Sequence, residues 1–198
     1  MEKPVFNFSE TIILENERAR LEPLAEKHFP ALAHIASTNT GLLKYSPSNI
    51  ETKENFEKYM QAALDLREKQ ERYTFVIFDK KYNEIVGSTA FLSVSNYDQK
   101  LEIGATWLGR EFQSTGINTN IKFLMLQYAF ETLHFKRVEF RIHNQNFQSR
   151  RAVEKLGAKY EGELRSHMLM PDGSRRTSVY YSILDNEWPE IKTQNFSL

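Results

Sequence analysis

At 198 residues, 40% of them apolar and 13% aromatic, the chain is long enough to bury a sizeable core, and nothing in it reads as a linker, so one α/β domain over residues 1–198 is expected. Lysine plus arginine equals aspartate plus glutamate at 26 each, which leaves no net basic field for nucleic acid or acidic lipid. The lack of cysteine excludes disulfides, a thiol nucleophile and thiolate metal sites; with no apolar run of signal or membrane-span length, a cytoplasmic protein with no membrane partner is expected.

In chain order, Arg18 to Leu24 sets Ala19 and Leu21 against Arg18, Arg20 and Glu22 until Pro23 breaks the alternation, which predicts an edge strand. Glu26 to Ser37 carries Phe29, Leu32, Ala33 and Ala36 at helical spacing, with Pro30 tolerable near the start, and predicts a short amphipathic helix. Thr52 is placed to cap a longer helix to about Gln70, with Phe56, Tyr59, Met60, Ala63 and Leu66 on one face. Tyr73 to Asp79, Glu84 to Val94 and Lys100 to Leu108 are β-branched and aromatic runs parted by two turn-like stretches, the pattern of an antiparallel meander.

A helix over 119–133 follows, apolar around most of its circumference and therefore expected to be buried. Arg137 to His143 alternates Val138, Phe140 and Ile142 with Arg137, Glu139, Arg141 and His143, a strand pattern. Gln145 to Leu156 reads as a helix closed by Gly157 in a left-handed cap. Ala158 to Ser166 and Arg175 to Leu184 read as two strands joined across the turn Pro171-Asp172-Gly173, and the tail after Asp185 is expected to be irregular.

The stretch Gln113-Ser114-Thr115-Gly116-Ile117-Asn118 lies between the meander and the apolar helix. A loop that opens a helix presents backbone N–H groups with no partner inside the helix, and the aligned peptide dipoles add positive potential there, which makes an anion cradle fit for a pyrophosphate. Gly116 allows positive φ and a close approach, while Ser114, Thr115, Asn118 and Thr119 can add side-chain hydrogen bonds. The competing reading is a glycine that only eases a strand-to-helix turn. The five histidines show no ligand spacing, so no metal is expected, and the chain lacks the serine-hydrolase, P-loop and dinucleotide-fold glycine motifs.

Glu102-Ile103-Gly104, the Gln113 to Asn118 loop, Asn146-Phe147-Gln148-Ser149 and Lys155-Leu156-Gly157-Ala158, in this order, resemble the GCN5-related N-acetyltransferase superfamily, and within it the branch that acetylates ribosomal-protein N-termini. The resemblance covers the element order from about residue 17 to residue 184 and is most specific from Glu102 to Arg165. It implies an α/β (α+β) fold with a mixed, mostly antiparallel sheet of about seven strands flanked by about four helices. It also implies acetyl-CoA as cosubstrate, its pyrophosphate in the Gln113 to Thr119 cradle. Its pantetheine arm would lie along a strand end that splays around Trp107 and Leu108 and would be contacted by Asn146.

The family loop has Gly or Ala where this chain has Asn118, and many members have a tyrosine where it has Val153, so Ser149 becomes the candidate to protonate the leaving sulfur. Glu102 is the candidate proton acceptor for the attacking amine, set against the plain reading of a strand carboxylate in an ion pair. Arg150 and Arg151 are candidates for coenzyme phosphate, with Arg151 taken into the site, though arginines on a helix face are commonly only solvated.

These readings combine into an acetyl-CoA-dependent N-acetyltransferase acting by direct attack of a primary amine. A peptide N-terminus is the first acceptor considered, then a small-molecule amine, and a homodimer is the candidate assembly. The alternative is a non-catalytic acyl-CoA-binding sensor. The acceptor site is assigned to the least patterned segments, Thr38 to Ser48 and His167 to Arg176.

Overall fold

The expected succession of strand, helix pair, meander, helix, strand, helix and hairpin is the one found in the computed structural model, which describes residues 4–196. The elements are β1 (Leu14–Glu15), β2 (Ala19–Pro23), α1 (Phe29–Thr38), α2 (Lys53–Glu68), β3 (Arg72–Asp79), β4 (Glu84–Ser95), β5 (Lys100–Leu108), α3 (Ile117–Gln127), β6 (Arg137–His143), α4 (Phe147–Lys155), β7 (Lys159–Leu169), β8 (Arg175–Leu184) and α5 (Trp188–Asn195). A wider π turn, Tyr128–Thr132, prolongs α3.

Local chemistry sets several of the boundaries. Thr52 accepts a hydrogen bond from the Asn55 N–H and so caps α2. Gly157, at φ +96°, ends α4 in the left-handed region as its sequence position requires.

All eight strands share one sheet in the order β1-β2-β3-β4-β5-β6-β8-β7, antiparallel throughout except for β5 and β6. That parallel pair is joined across its face by α3. It holds register only at Lys100↔Arg137, Leu101↔Val138 and Glu102↔Glu139. Beyond Glu102 the strands part. The cause lies in β5, where three steps from Gly104 to Trp107 face only two from Ala90 to Ser88, and Ala105 takes φ +48°. A bulge of this kind adds bend and twist to its strand, and here β5 follows β4 away from β6, which keeps its full register with β8.

One face of the sheet carries Phe75, Phe91, Leu101, Val138, Phe140 and Tyr181 under α3, α4 and α5. The other carries Val76 and Trp107 under Leu32, Ile35, Phe56 and Met60 of α1 and α2. Full burial of side chains of this size is worth roughly 1.5–3 kcal/mol each.

Four expectations are corrected. The sheet has eight strands rather than about seven, because β1 covers two residues of β2 (Leu14↔Leu21, Glu15↔Arg20), and β2 is therefore not the edge. Among the described residues there are five α-helices rather than about four, because the segment after Asp185 is helical. Trp188 and Ile191 of α5 are buried, Trp188 packs on Phe130, and Pro189 sits in the first turn where its missing N–H costs nothing. Helix α3 begins at Ile117 rather than 119, so Ile117, Asn118 and Thr119 are its first turn. Asn146 lies outside α4 as its N-cap rather than on its face.

Candidate active site

Gly116 is the N-cap of α3, at φ +90°, and a Cβ built on it would meet nothing within 4 Å. Ser114 also takes positive φ, +62°. Among the described residues, nothing accepts a hydrogen bond from the backbone N–H groups of Ser114 to Thr119. The loop is held from below instead: Thr115 Oγ1 donates to the Phe112 carbonyl at 2.8 Å, and the Asn120 N–H and Nδ2 donate to the Gly116 carbonyl at 3.2 and 3.1 Å. The Phe112 and Gly116 carbonyls are thus engaged while the donors from Ser114 to Thr119 are free, the arrangement an anion needs. The side chains of Asn118 and Thr119 are half-buried on the first turn of the helix.

Gln113 ties the cradle to both neighbours. Its Nε2 donates to the Leu108 carbonyl at 3.2 Å, and its Oε1 accepts from Gln148 Nε2 of α4 at 3.4 Å. The free half of β5, with Trp107 and Leu108 at its end, therefore runs between the α3 cradle and the start of α4. The splay reaches further back than Trp107, to Ile103. Trp107 contributes backbone here, because its indole is buried on the opposite side against α1 and α2, with Nε1 unpartnered.

At the start of α4, Asn146 Oδ1 accepts from the Ser149 N–H at 3.1 Å, so the oxygen is spent on capping. Asn146 Nδ2 and the Ser149 hydroxyl make no hydrogen bond with the described residues and are half-buried. The two arginines differ. Arg150 is engaged by the Tyr181 hydroxyl at 3.1 Å and the Asn144 carbonyl at 3.0 Å, whereas Arg151 is exposed with no such partner.

Glu102 is the last paired residue of β5 before the strands part, and it is only 4% exposed. Burial pushes its carboxyl above the ordinary carboxylate range; Arg141, at 3.3 Å, pulls the other way, and Glu139 adds to the rise. Arg176, 6% exposed, lies on the same side and also acts on Glu102. Arg176 Nε donates to Ser178 Oγ at 2.9 Å and its Nη1 to the Tyr45 carbonyl at 3.0 Å. His143 packs its ring 5.3 Å from that of Tyr45, and His167 Nδ1 lies 3.0 Å from Ser178 Oγ. Burial, then nearby arginine charge, holds both imidazoles below their ordinary value.

The segment between α1 and α2 roofs this cluster. Asn39 Oδ1 accepts from the Arg110 N–H at 2.9 Å, and Tyr45 accepts from Arg176 of β8, so one loop is fastened to both sides of the splay. Between this loop and the β7–β8 turn lies a cavity of about 160 Å³, lined in part by Lys44, Ser46, Met170 and Asp172. The two segments assigned to the acceptor site thus meet. Tyr45 and Arg176 lie in those segments without having been singled out, and Arg141, His143 and Ser178 carried no site signal, since the five come together only through the sheet.

Lys122, in the second turn of α3, was also hidden, because a lysine in an apolar helix reads as its solvated edge. It is 5% exposed; its Nζ donates to Thr106 Oγ1 at 2.7 Å, and burial pulls its amine down to about 7. Thr106 in turn lies 2.7 Å from Thr89 Oγ1 and donates to the Gly104 carbonyl at 3.3 Å, so this chain reaches the β5 bulge from behind.

The acetyltransferase (GNAT) domain family matches residues 18–159 of this chain. YdaF of Bacillus subtilis (strain 168), provisionally named a ribosomal N-acetyltransferase, is 37% identical over 100 residues, 49% of this chain and 54% of that protein. The chain thus spans about half the length of that relative. The crystal structure of a GCN5-related N-acetyltransferase from Brucella melitensis superposes with a TM-score of 0.86 at 30% identity, covering 94% of this chain and 85% of that one. Ribosomal-protein-S5-alanine acetyltransferase from Vibrio fischeri shares the fold, with a TM-score of 0.72 at 18% identity over 89% of this chain and 98% of that one. The family match and the shared fold agree: this chain belongs to the acetyltransferase (GNAT) domain family.

Proposed function

We propose that the protein transfers the acetyl group of acetyl-CoA to a primary amine by direct attack, with no covalent enzyme intermediate. One observation carries this reading: a cradle of unpartnered N–H groups, an unpaired stretch of β5 and a buried carboxylate lie in succession along one path from Gly116 to Glu102. Bound acetyl-CoA supplies an activated thioester. The Ser114 to Thr119 donors hold the pyrophosphate, Arg151 is available to an outer phosphate, and Asn146 Nδ2 with the free β5 backbone holds the pantetheine amides as an added strand would be held.

Glu102 takes the proton of the incoming ammonium, directly or through water, a task its raised affinity for protons suits. The amine nitrogen then bonds to the thioester carbon, the carbon–sulfur bond breaks, and the sulfur leaves with its electron pair. N–H groups that β5 no longer gives to β6 stabilise the developing oxyanion. Ser149 hydrogen-bonds the departing thiolate or passes it a proton, and the second proton, shed by the nitrogen as the amide forms, replaces it through water. A peptide N-terminus is the first acceptor, in keeping with the name carried by YdaF.

Calorimetry with acetyl-CoA, then thiol release across a panel of peptide N-termini, amino acids and polyamines, tests the proposal. Binding followed by release with at least one amine is expected. Tight binding with release from none favours a sensor, and no binding refutes both.

A further inference from the structure

The sheet face toward α1 and α2 divides into a part where charge balances and a part where it does not. Arg137 is held by Glu139 at 2.9 Å and by both oxygens of Glu161, and Lys100 adds to Glu139 at 3.6 Å, so two cations there meet two carboxylates. At the splay, Arg141 and Arg176 share Glu102 alone. The two imidazoles facing them, His143 and His167, are held toward their neutral forms and supply no negative charge.

The donors are as unbalanced as the charges. A guanidinium presents a planar fork of N–H groups. Among the described residues, Arg141, about a quarter exposed, has only Glu102 Oε2 for a partner, and Arg176 Nη2 has no protein acceptor. Arg176 is also pinned in place by Ser178 and the Tyr45 carbonyl.

Resting on the acetyltransferase reading above, we infer that the acceptor carries a carboxylate a few bonds from its reacting amine, and that Arg176 and Arg141 bind it. A fixed guanidinium beside a second one, both with unused N–H groups, suits a carboxylate in bidentate contact better than any neutral group. The reaction sharpens the need. When Glu102 takes the amine's proton it loses its charge, and the guanidiniums then have no counter-charge from the chain. An acceptor carboxylate supplies one at that moment and so favours the transition state. The carboxylate can belong to a free amino acid or to an acidic side chain near a peptide N-terminus.

Matched acceptor pairs decide this. Acetyl transfer to an amino acid is compared with transfer to its amide, and transfer to a peptide beginning Ser-Glu with one beginning Ser-Gln, by thiol release and mass spectrometry at low salt. In at least one pair the carboxylate member is expected to have a kcat/KM about tenfold higher, and the pair that shows this identifies the source. Arg176→Gln and Arg141→Gln, checked for melting temperature and acetyl-CoA binding, are expected to collapse that ratio. Equal rates within both pairs of the wild-type enzyme overturn the inference with no variant needed, and leave the transferase reading intact. Transfer to no member of either pair or to any other amine overturns both.

Discussion

Lys122 Nζ lies 2.7 Å from Thr106 Oγ1, and among the described residues no carboxylate acts on the buried ammonium. The folded amine titrates at about 7 against roughly 10.4 for an unfolded lysine, so between these values the unfolded chain holds a proton that the folded one lacks. Stability therefore rises with pH across this window, and near pH 7 the charge costs the fold on the order of 4 kcal/mol. Lys122→Met is expected to stabilise the protein at neutral pH by roughly 1–3 kcal/mol, after loss of the Thr106 hydrogen bond. The stability gradient from neutral to alkaline pH should flatten as well. Urea unfolding at several pH values checks both, and a less stable Met variant with an unchanged gradient refutes the account.

Glu102 makes a different pH statement, because burial raises its proton affinity. As the base, it works only once deprotonated, so kcat/KM should climb with pH through a limb above the ordinary carboxylate range and reach its plateau when Glu102 is ionised. Glu102→Gln is expected to lower kcat about a hundredfold or more, abolish that limb and leave acetyl-CoA affinity nearly unchanged. A variant that keeps the limb excludes Glu102 as its origin.

At Gly116 the structure separates binding from folding. A Cβ there meets nothing within 4 Å, so Gly116→Val is expected to cost mainly the left-handed backbone, roughly 1–2 kcal/mol. On the proposed reading, the space it enters is the one the pyrophosphate would use. Acetyl-CoA affinity should fall at least about tenfold, the equivalent of roughly 1.4 kcal/mol. Melting temperature and dissociation constant measured on one preparation decide the matter; normal affinity in a destabilised variant identifies a structural glycine.

Asn146 and Ser149 should part company in the same assays. Asn146 caps α4, so Asn146→Ala is expected to cost about 1 kcal/mol of stability besides weakening the coenzyme. The Ser149 hydroxyl has no partner among the described residues, so Ser149→Ala should leave melting unchanged and slow turnover, most visibly with acceptors for which thiolate departure limits the rate.

How much could be read in advance followed from distance along the chain. Gln113 and Gly116 are near neighbours, so the cradle shows in sequence, as does the meander that carries Glu102. Tyr45, Arg141 and Arg176 belong to segments far apart in the chain, and each alone looks like surface. Lys122 was missed because its helix position predicts exposure for any lysine, and only the packing of α3 on β5 buries it. Two-residue β1 is too short to show a period, and α5 is fixed by Trp188 and Ile191 docking rather than by helix propensity.

The parting of β5 from β6 has a mechanical consequence. Within the sheet only three residue pairs join a five-strand block to a three-strand block, the rest of the join being the core under α3, the ion pairs at Glu102 and Glu139 and the roofing loop at Asn39 and Tyr45, so the backbone of the sheet carries a seam through its middle. A ligand that lies along that seam as a strand closes it. Amide hydrogens from Ile103 to Leu108 that face β6 should exchange quickly in the free protein and slowly with acetyl-CoA bound.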